Sequence, residues 1–268
     1  MLHERIYFGK QNSENSYMTT YILDDIVDNQ RKRPMIVIFP GGGYESCVSR
    51  EGEPIACEFN SIGYNAAVVN YAVNTQYPKS LIDASDAIVY IREHADEWNV
   101  DSDKIFVCGF SAGGHLAASI GIMADKEKAI KREDKLNKPN GMILCYPVIS
   151  SGKFAHQGSF NAIGAISDEL LEKTSLELQV DENTPPAFIW HTFEDNVVPM
   201  ENSMLLAEAM RRYNIPFELH IYTEGVHGLS LASQITANND KEIVPYVQSW
   251  IWLAKEWISK YINLGHGE

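Results

Sequence analysis

The stretch IFVCGFSAGGHLAASI, residues 105–120, decides the fold because its pattern changes abruptly at a serine. Its first four residues are apolar, which predicts a strand buried on both faces, and its last six continue as a helix. Between them lies Gly109-Phe110-Ser111-Ala112-Gly113, a G-x-S-x-G motif. A strand that turns this sharply into a helix strains its central residue and exposes the Ser111 hydroxyl at the edge of the sheet. A serine that merely caps the helix is the alternative interpretation.

Apolar runs of the same kind recur along the chain. They span residues 35–39, 66–69, 142–145 and 187–190. The run 217–221 alternates apolar and polar residues, as a strand near the edge of a sheet does. Helical spacing of apolar residues separates the runs, over residues 81–98, 205–213 and 247–261. Strands alternating with helices predict an α/β fold, with a mostly parallel central sheet and helices on both faces.

Two of these helices carry further expectations. In the helix over residues 81–98, the polar positions, Asp83 among them, are expected to face away from the apolar side. The helix over residues 247–261 is long enough to cover a sheet edge or to join a dimer contact, and packing on the sheet is the simpler expectation.

Length and composition are typical of one globular domain. The 268 residues are 45% hydrophobic and 22% charged, so we predict a single α/β domain over residues 1–268. Residues 150–185 form the one long departure from the alternation of strands and helices. We interpret this segment as a small cap insertion over the site.

The charge, the amino terminus and the cysteines of the chain restrict which binding partners and which cellular compartment we expect. The chain has 22 Lys and Arg against 36 Asp and Glu, a net charge of −14, which repels nucleic acids and anionic membrane surfaces. The amino terminus lacks the pattern of a secretory signal, and no apolar run reaches about 18 residues, so we expect a cytoplasmic protein. The four cysteines form no C-x-x-C pair, so we predict neither a disulfide framework nor a zinc site.

A serine hydroxyl needs a histidine base and a carboxylate to act as a nucleophile. Both follow Ser111 in the chain, first the carboxylate and then the histidine. Glu194 and Asp195 lie on the loop after one predicted strand, and His227 lies between glycines on the loop after the next. We predict that Ser111, Asp195 and His227 are the catalytic residues. Spacing alone leaves Glu194 open, and Asp195 is favoured because its shorter side chain fixes an imidazole more tightly.

The loop after the first buried run carries three successive glycines, Pro40-Gly41-Gly42-Gly43-Tyr44. Glycines let the bare backbone approach a substrate, and neither phosphate-binding glycine motif is present. We therefore assign an oxyanion hole to the backbone N–H groups of Gly42, Gly43 and Ala112.

Two further side chains are candidates for substrate binding. Tyr44 is placed either to stack on a substrate ring or to close the core beside the glycine loop. His156 lies in the predicted cap, where it either faces the substrate or is structural or solvated.

These residues give the chain a resemblance to the α/β-hydrolase superfamily, and within it to the carbohydrate acetyl esterases related to hormone-sensitive lipases and acetyl xylan esterases. The resemblance runs over residues 34–228. The matching segments are PGGGY at 40–44, REGEP at 50–54, GFSAGGHLA at 109–117, HT at 191–192 and DNVVP at 195–199. Many relatives carry histidine where this chain has Pro40, and the subgroup with proline resembles enzymes for sugar esters. The resemblance implies a cofactor-free hydrolase that removes short acyl groups, foremost acetyl, from saccharide hydroxyls.

Other functions use the same fold. A peptidase of this superfamily has the same catalytic residues but usually a gating domain as well, for which this chain has no room. A lipase requires a strongly apolar lid, whereas residues 153–183 mix polar and apolar side chains. A noncatalytic binding module on this fold would tolerate the loss of a catalytic residue. A homodimer is an open expectation, because symmetric dimers are common among soluble proteins.

Overall fold

An eight-stranded, mostly parallel sheet forms the centre of the computed structural model, which describes residues 1–7, 16–25 and 32–264. The strands are β1 (Arg5–Tyr7), β2 (Tyr17–Tyr21), β3 (Arg33–Phe39), β4 (Asn65–Asn70), β5 (Val100–Phe110), β6 (Gly141–Cys145), β7 (Ala187–Thr192) and β8 (Phe217–Tyr222). Their order across the sheet is β1-β2-β4-β3-β5-β6-β7-β8, and only β1 and β2 are antiparallel to their neighbours. The predicted α/β fold is confirmed, including the edge position of β8.

Helices cover both faces of the sheet. They are α1 (Glu53–Ser61), α2 (Lys79–Glu93), α3 (Ala112–Met123), α4 (Gln157–Ala162), α5 (Asp168–Thr174), α6 (Glu201–Arg212) and α7 (Ser249–Leu264). Helices α2, α3 and α6 pack on one face, and α1 and α7 pack on the other. The first core lies between the sheet and α2, α3 and α6, and the second core lies between the sheet and α1 and α7. The side chain of Val37 enters the first core and that of Ile36 enters the second, which explains why β3 is apolar at successive positions.

The last helix packs on the sheet as the simpler expectation has it. Trp250 and Trp257 of α7 are 0% and 2% exposed in the second core. Within the described part of the chain, every helix is too short or too polar to cross a bilayer.

One expectation for α2 is wrong. Asp83 does not face solvent but is fully buried, because three groups compensate its charge. Its carboxylate accepts hydrogen bonds from Ser16 Oγ at 2.6 Å and Ala72 N at 2.8 Å, and it pairs with Lys79 at 3.1 Å. A buried carboxylate is tolerated when it is paired and hydrogen-bonded in this way.

The segment of residues 150–185 connects β6 to β7 and contains two short helices and a 3-10 turn, Leu176–Leu178. Several contacts hold the segment to the body of the molecule, and two of them involve helices that pack on the sheet. Asn202 of α6 accepts from the Ser150 N–H at 2.9 Å, and the Thr174 carbonyl lies 2.8 Å from His115 Nε2 of α3.

Candidate active site

Ser111 occupies the sharp turn between β5 and α3. Its backbone has φ 53° and ψ −119°, a conformation that costs free energy and is kept where the surroundings enforce it. A Cβ atom at Gly109 would lie 2.2 Å from the Gly113 carbonyl oxygen, and one at Gly113 would lie 2.1 Å from that of Phe39. Both positions therefore require glycine. The Ser111 side chain makes no capping hydrogen bond to α3, so the structure does not support the capping alternative.

The structure brings Ser111, His227 and Asp195 together in one hydrogen-bonded chain. His227 Nε2 lies 2.8 Å from Ser111 Oγ, and His227 Nδ1 lies 2.6 Å from Asp195 Oδ2. The three side chains come from the ends of β5, β7 and β8, at the carboxyl edge of the sheet. This is the geometry that lets an imidazole withdraw a proton from a serine hydroxyl.

Asp195 is held as a buried carboxylate. Its second oxygen, Oδ1, accepts from the Val197 and Val198 N–H groups at 3.0 and 2.9 Å. Burial alone would raise its pKa, but hydrogen bonds from His191 and His227 outweigh burial and hold the pKa of Asp195 well below its ordinary value. The neighbouring Glu194 is exposed and accepts instead from the Gly225 N–H at 3.1 Å.

His191 is a residue of the site that sequence reasoning missed. It is fully buried at the end of β7, and its Nε2 lies 3.2 Å from Asp195 Oδ2, the oxygen that also meets His227. Nε2 lies 2.8 Å from the Val198 carbonyl oxygen, and Nδ1 lies 2.8 Å from Ser203 Oγ. His191 precedes Asp195 by four residues, and it lies in the HT pair that resembles the family, but neither signal showed that its imidazole reaches Asp195.

The glycine loop lies beside Ser111, with Gly42 at φ 125° and Gly43 at φ 65°. The Gly41 N–H is engaged by Glu51 Oε2 at 2.8 Å, whereas the N–H groups of Gly42 and Gly43 bond to no residue in the described ranges. The Ala112 N–H stands at the first position of α3, where a helix leaves its N–H groups without internal partners. These three groups are thus free to bind an oxyanion, which remains their predicted role.

Tyr44 belongs to the core. Its side chain is 2% exposed, its hydroxyl lies 2.8 Å from His115 Nδ1, and its ring packs edge-on against Tyr71. The ring is therefore not an exposed platform for a substrate. Of the two sequence-based alternatives for Tyr44, the structure corresponds to closure of the core beside the glycine loop.

His156 is half-buried at the start of α4 and faces the glycine loop. Its Cε1 lies 4.0 Å from the position that a Cβ would take at Gly43, and its Nδ1 lies 2.8 Å from Ser159 Oγ. Burial, and next the charge of His227, lowers the pKa of His156. The imidazole is therefore neutral near pH 7, and its Nε2 is free of protein partners within the described ranges.

Two other buried side chains reach the site without having been predicted. Glu51 contacts the glycine loop, and the Tyr146 ring packs edge-on against the His227 ring, with 5.1 Å between centroids. Glu51 lies in the REGEP segment that resembles the family but far from Ser111 in sequence, and Tyr146 follows β6, so neither residue was assigned to the site.

The described residues contain no group of three or more side chains arranged to hold a metal ion. The four cysteines are free thiols.

The parallel sheet, the strained serine turn and the order of the three side chains define the class of the α/β hydrolases. Within that class, the chain belongs to the BD-FAE family, whose sequence model matches residues 25–210.

Solved structures of relatives share the whole fold. An acetyl ester-xyloside bifunctional hydrolase from Caldicellulosiruptor lactoaceticus is 38% identical with a TM-score of 0.82, and the match covers 95% of this chain and 91% of that one. A carboxylesterase from Lactobacillus plantarum is 29% identical with a TM-score of 0.86, and the match covers 97% of this chain and 98% of that one.

Curated relatives are longer than this chain. Endo-1,4-beta-xylanase B of Butyrivibrio fibrisolvens is 41% identical over 84% of this chain and 37% of that protein. Acetylxylan esterase of Xylanibacter ruminicola is 31% identical over 74% of this chain and 41% of that protein. The chain thus matches about two fifths of the length of these two relatives.

Proposed function

We propose that this chain is a serine carboxylic-ester hydrolase that removes short acyl groups, foremost acetyl, from carbohydrates or similar small alcohols. One observation carries the proposal: Ser111, His227 and Asp195 are linked by hydrogen bonds of 2.8 and 2.6 Å at a strained serine turn. Acyl transfer requires this arrangement, because the imidazole must take the proton of the serine hydroxyl and the buried carboxylate must orient the imidazole.

The mechanism follows from these contacts. His227 Nε2 takes the proton of Ser111 as Oγ attacks the ester carbonyl carbon, and Asp195 stabilises the imidazolium that forms. The carbonyl oxygen becomes an oxyanion facing the N–H groups of Gly42, Gly43 and Ala112, at the positive end of α3. The intermediate collapses, and His227 returns the proton to the departing alcohol. Water then attacks the acyl-enzyme with His227 again as the base, which releases the acid and restores Ser111.

The names of the relatives bear on the alcohol part of the substrate. Two of them are named for acetylated xylan or for acetyl esters and xylosides. In this chain, the segment of residues 150–185 would act as a cap over the alcohol, and it presents His156 towards the glycine loop. We infer that the neutral imidazole of His156 hydrogen-bonds a hydroxyl next to the ester, as a sugar would offer and a simple alkyl ester would not.

Acetate release from acetylated xylo-oligosaccharides tests the proposed function. The wild type should release acetate, and Ser111→Ala should fold normally while kcat falls by several orders of magnitude. Release of new reducing ends without acetate would contradict the proposal, as would Ser111→Ala retaining a tenth of the activity.

The role of His156 is tested with paired substrates, an acetylated xyloside with a free neighbouring hydroxyl and the same compound with that hydroxyl methylated. His156→Phe removes the polar atoms and keeps a ring. It should lower kcat/KM about tenfold on the first substrate, the equivalent of one hydrogen bond, and hardly at all on the second. His94→Phe, in a histidine stacked on Tyr90 at the end of α2, is the matched control and should change neither. Equal losses on both substrates would refute the contact.

A further inference from the structure

Glu51 is a buried carboxylate at the inner side of the glycine loop. It ends the 3-10 turn Ser49–Glu51 and is 3% exposed. Its Oε2 accepts from the Gly41 N–H at 2.8 Å, and its Oε1 accepts from the Tyr146 hydroxyl at 2.7 Å. Both donors are neutral, and the neighbouring Arg50 pairs with Glu242 instead, at 2.6 Å. Because burying a carboxylate between neutral donors costs free energy, a role beyond packing is indicated.

The first oxygen of Glu51 fixes the peptide that leads into the predicted oxyanion hole. A Cβ atom at Gly41 would lie 2.7 Å from Glu51 Oε2, 2.7 Å from the Phe110 carbonyl oxygen and 3.1 Å from Ser111 Cβ. The backbone of Gly41 is thus pressed between Glu51 and Ser111. Because the Gly41 N–H is hydrogen-bonded to Glu51, the peptide between Pro40 and Gly41 has a fixed orientation. The backbone that continues to Gly42 and Gly43 therefore starts from a fixed position.

The second oxygen of Glu51 reaches the loop that carries the base. The Tyr146 hydroxyl, which donates to Glu51, accepts from the Ser230 N–H at 2.9 Å, three residues after His227. Burial, and next the charge of Glu51, raises the pKa of Tyr146 well above its ordinary value, so this hydroxyl remains a donor. Ser230 Oγ also donates to the Arg50 carbonyl oxygen at 2.7 Å, which ties the same two segments together a second time.

We infer that Glu51 is a positioning residue that sets the spacing between the oxyanion-binding loop and the base loop, through Gly41 on one side and Tyr146 on the other. The inference rests on the proposed ester-hydrolase function. It concerns a residue that touches neither Ser111 Oγ nor His227 directly, and it acts on the transition state because the oxyanion forms only there.

Glu51→Gln tests the inference because an amide cannot serve both donors. If the amide oxygen faces the Gly41 N–H, the amide nitrogen faces the Tyr146 hydroxyl, whose proton then loses its acceptor; if the amide turns over, its nitrogen opposes the Gly41 N–H. We expect kcat for p-nitrophenyl acetate to fall about 10- to 100-fold, the effect of a small misplacement of catalytic groups, while KM stays within about threefold. The affinity for a trifluoromethyl ketone, which forms a tetrahedral adduct on Ser111, should fall by the same factor as kcat/KM.

Tyr146→Phe approaches the same contact from the other side and decides the matter if Glu51→Gln does not fold. It should lower kcat and ketone affinity in the same way. The double variant should have nearly the same kcat and ketone affinity as the less active single variant, because both substitutions break the same hydrogen bond.

Glu127→Gln is the matched control. Glu127 is also a buried glutamate that accepts from a tyrosine hydroxyl and a backbone N–H, those of Tyr77 at 2.9 Å and Ala129 at 3.2 Å. It differs in pairing with Lys173 as well, and it lies beyond the far end of α3. It should lower Tm and leave kcat and ketone affinity unchanged.

The outcomes separate the inference from the function on which it rests. A wild type that neither hydrolyses p-nitrophenyl acetate nor reacts with a fluorophosphonate at Ser111 overturns both. An active wild type, with Glu51→Gln and Tyr146→Phe lowering Tm as Glu127→Gln does but keeping kcat and ketone affinity within threefold, overturns the positioning role alone.

Discussion

Asp195 and Glu194 are neighbours on one loop, yet they make entirely different contacts. The shorter side chain reaches His227 and is held from behind by two N–H groups and His191, whereas Glu194 is exposed and bonds the Gly225 backbone. A carboxylate fixed on both sides holds one tautomer of the imidazole, with the proton on Nδ1 and the lone pair on the nitrogen facing Ser111.

Paired substitutions distinguish the two carboxylates. Asp195→Asn should lower kcat by about four orders of magnitude, because an amide holds the imidazole in the wrong tautomer. Glu194→Gln should change kcat by no more than a few fold, since its amide oxygen still accepts from the Gly225 N–H. Steady-state hydrolysis of p-nitrophenyl acetate measures both, with circular dichroism to verify folding. If Glu194→Gln is the more damaging change, the assignment of the acid is wrong.

The residues predicted from sequence and those missed differ in how local their signal is. Ser111 lies in a motif, and His227 and Asp195 lie on loops whose position after strands can be deduced from the order of elements. Glu51 and Tyr146 are 95 residues apart, and their hydrogen bond exists only because β3 and β6 flank β5 and end at the same edge of the sheet. Such a contact has no period and no spacing rule, so one sequence could not disclose it.

At the scale of elements, the buried strands were predictable and the first two strands were not. Strands β3 to β7 have continuous apolar runs because helices cover both of their faces. Strand β1 has only three residues, and β2, of sequence YMTTY, is half-buried and mixes polar with apolar side chains. These two strands form because β4 offers an unpaired edge, with which β2 pairs from Tyr17 to Tyr21. The stabilising partner is remote in sequence, so local pattern could not indicate them.

Helix α3 is packed closely on all sides. Its first turn must approach β3 closely enough that Gly113 allows no side chain, and every one of its residues is buried. A helix without an exposed face has no amphipathic period, so its pattern resembles that of a strand. The glycines around Ser111, rather than hydrophobic spacing, identified where it begins.

At the scale of the whole molecule, His115 joins three segments that are distant in sequence. It lies on α3, its Nδ1 meets the Tyr44 hydroxyl of the glycine loop at 2.8 Å, and its Nε2 meets the Thr174 carbonyl oxygen at 2.8 Å. A carbonyl can only accept, so Nε2 carries the proton and Nδ1 accepts from Tyr44. The neutral imidazole satisfies both partners, and burial lowers the pKa of His115 to about 4.

We expect this histidine to make the stability of the folded protein sensitive to mild acid. Its pKa is about 4 in the folded protein against 6.5 for an ordinary histidine, so between these values the unfolded chain binds more protons. The free energy of unfolding should therefore fall as the pH drops from 6.5 to 4, by about 3 kcal/mol from this group alone, and the contribution should level off below pH 4. Asp195, whose folded pKa is depressed, loses its contribution only below the ordinary aspartate range near pH 4.

Urea unfolding at several pH values, in the wild type and in His115→Gln, measures this contribution. Glutamine keeps a donor and an acceptor but does not titrate, so the variant should lose much less stability than the wild type between pH 6.5 and 4. His220→Gln, on the edge strand β8 where the histidine bonds Glu218, should retain the dependence of the wild type. An equally steep fall in His115→Gln would show that the acid sensitivity arises elsewhere. A shallower fall would identify the contact of α3 with Tyr44 and Thr174 as the point where mild acid weakens the fold.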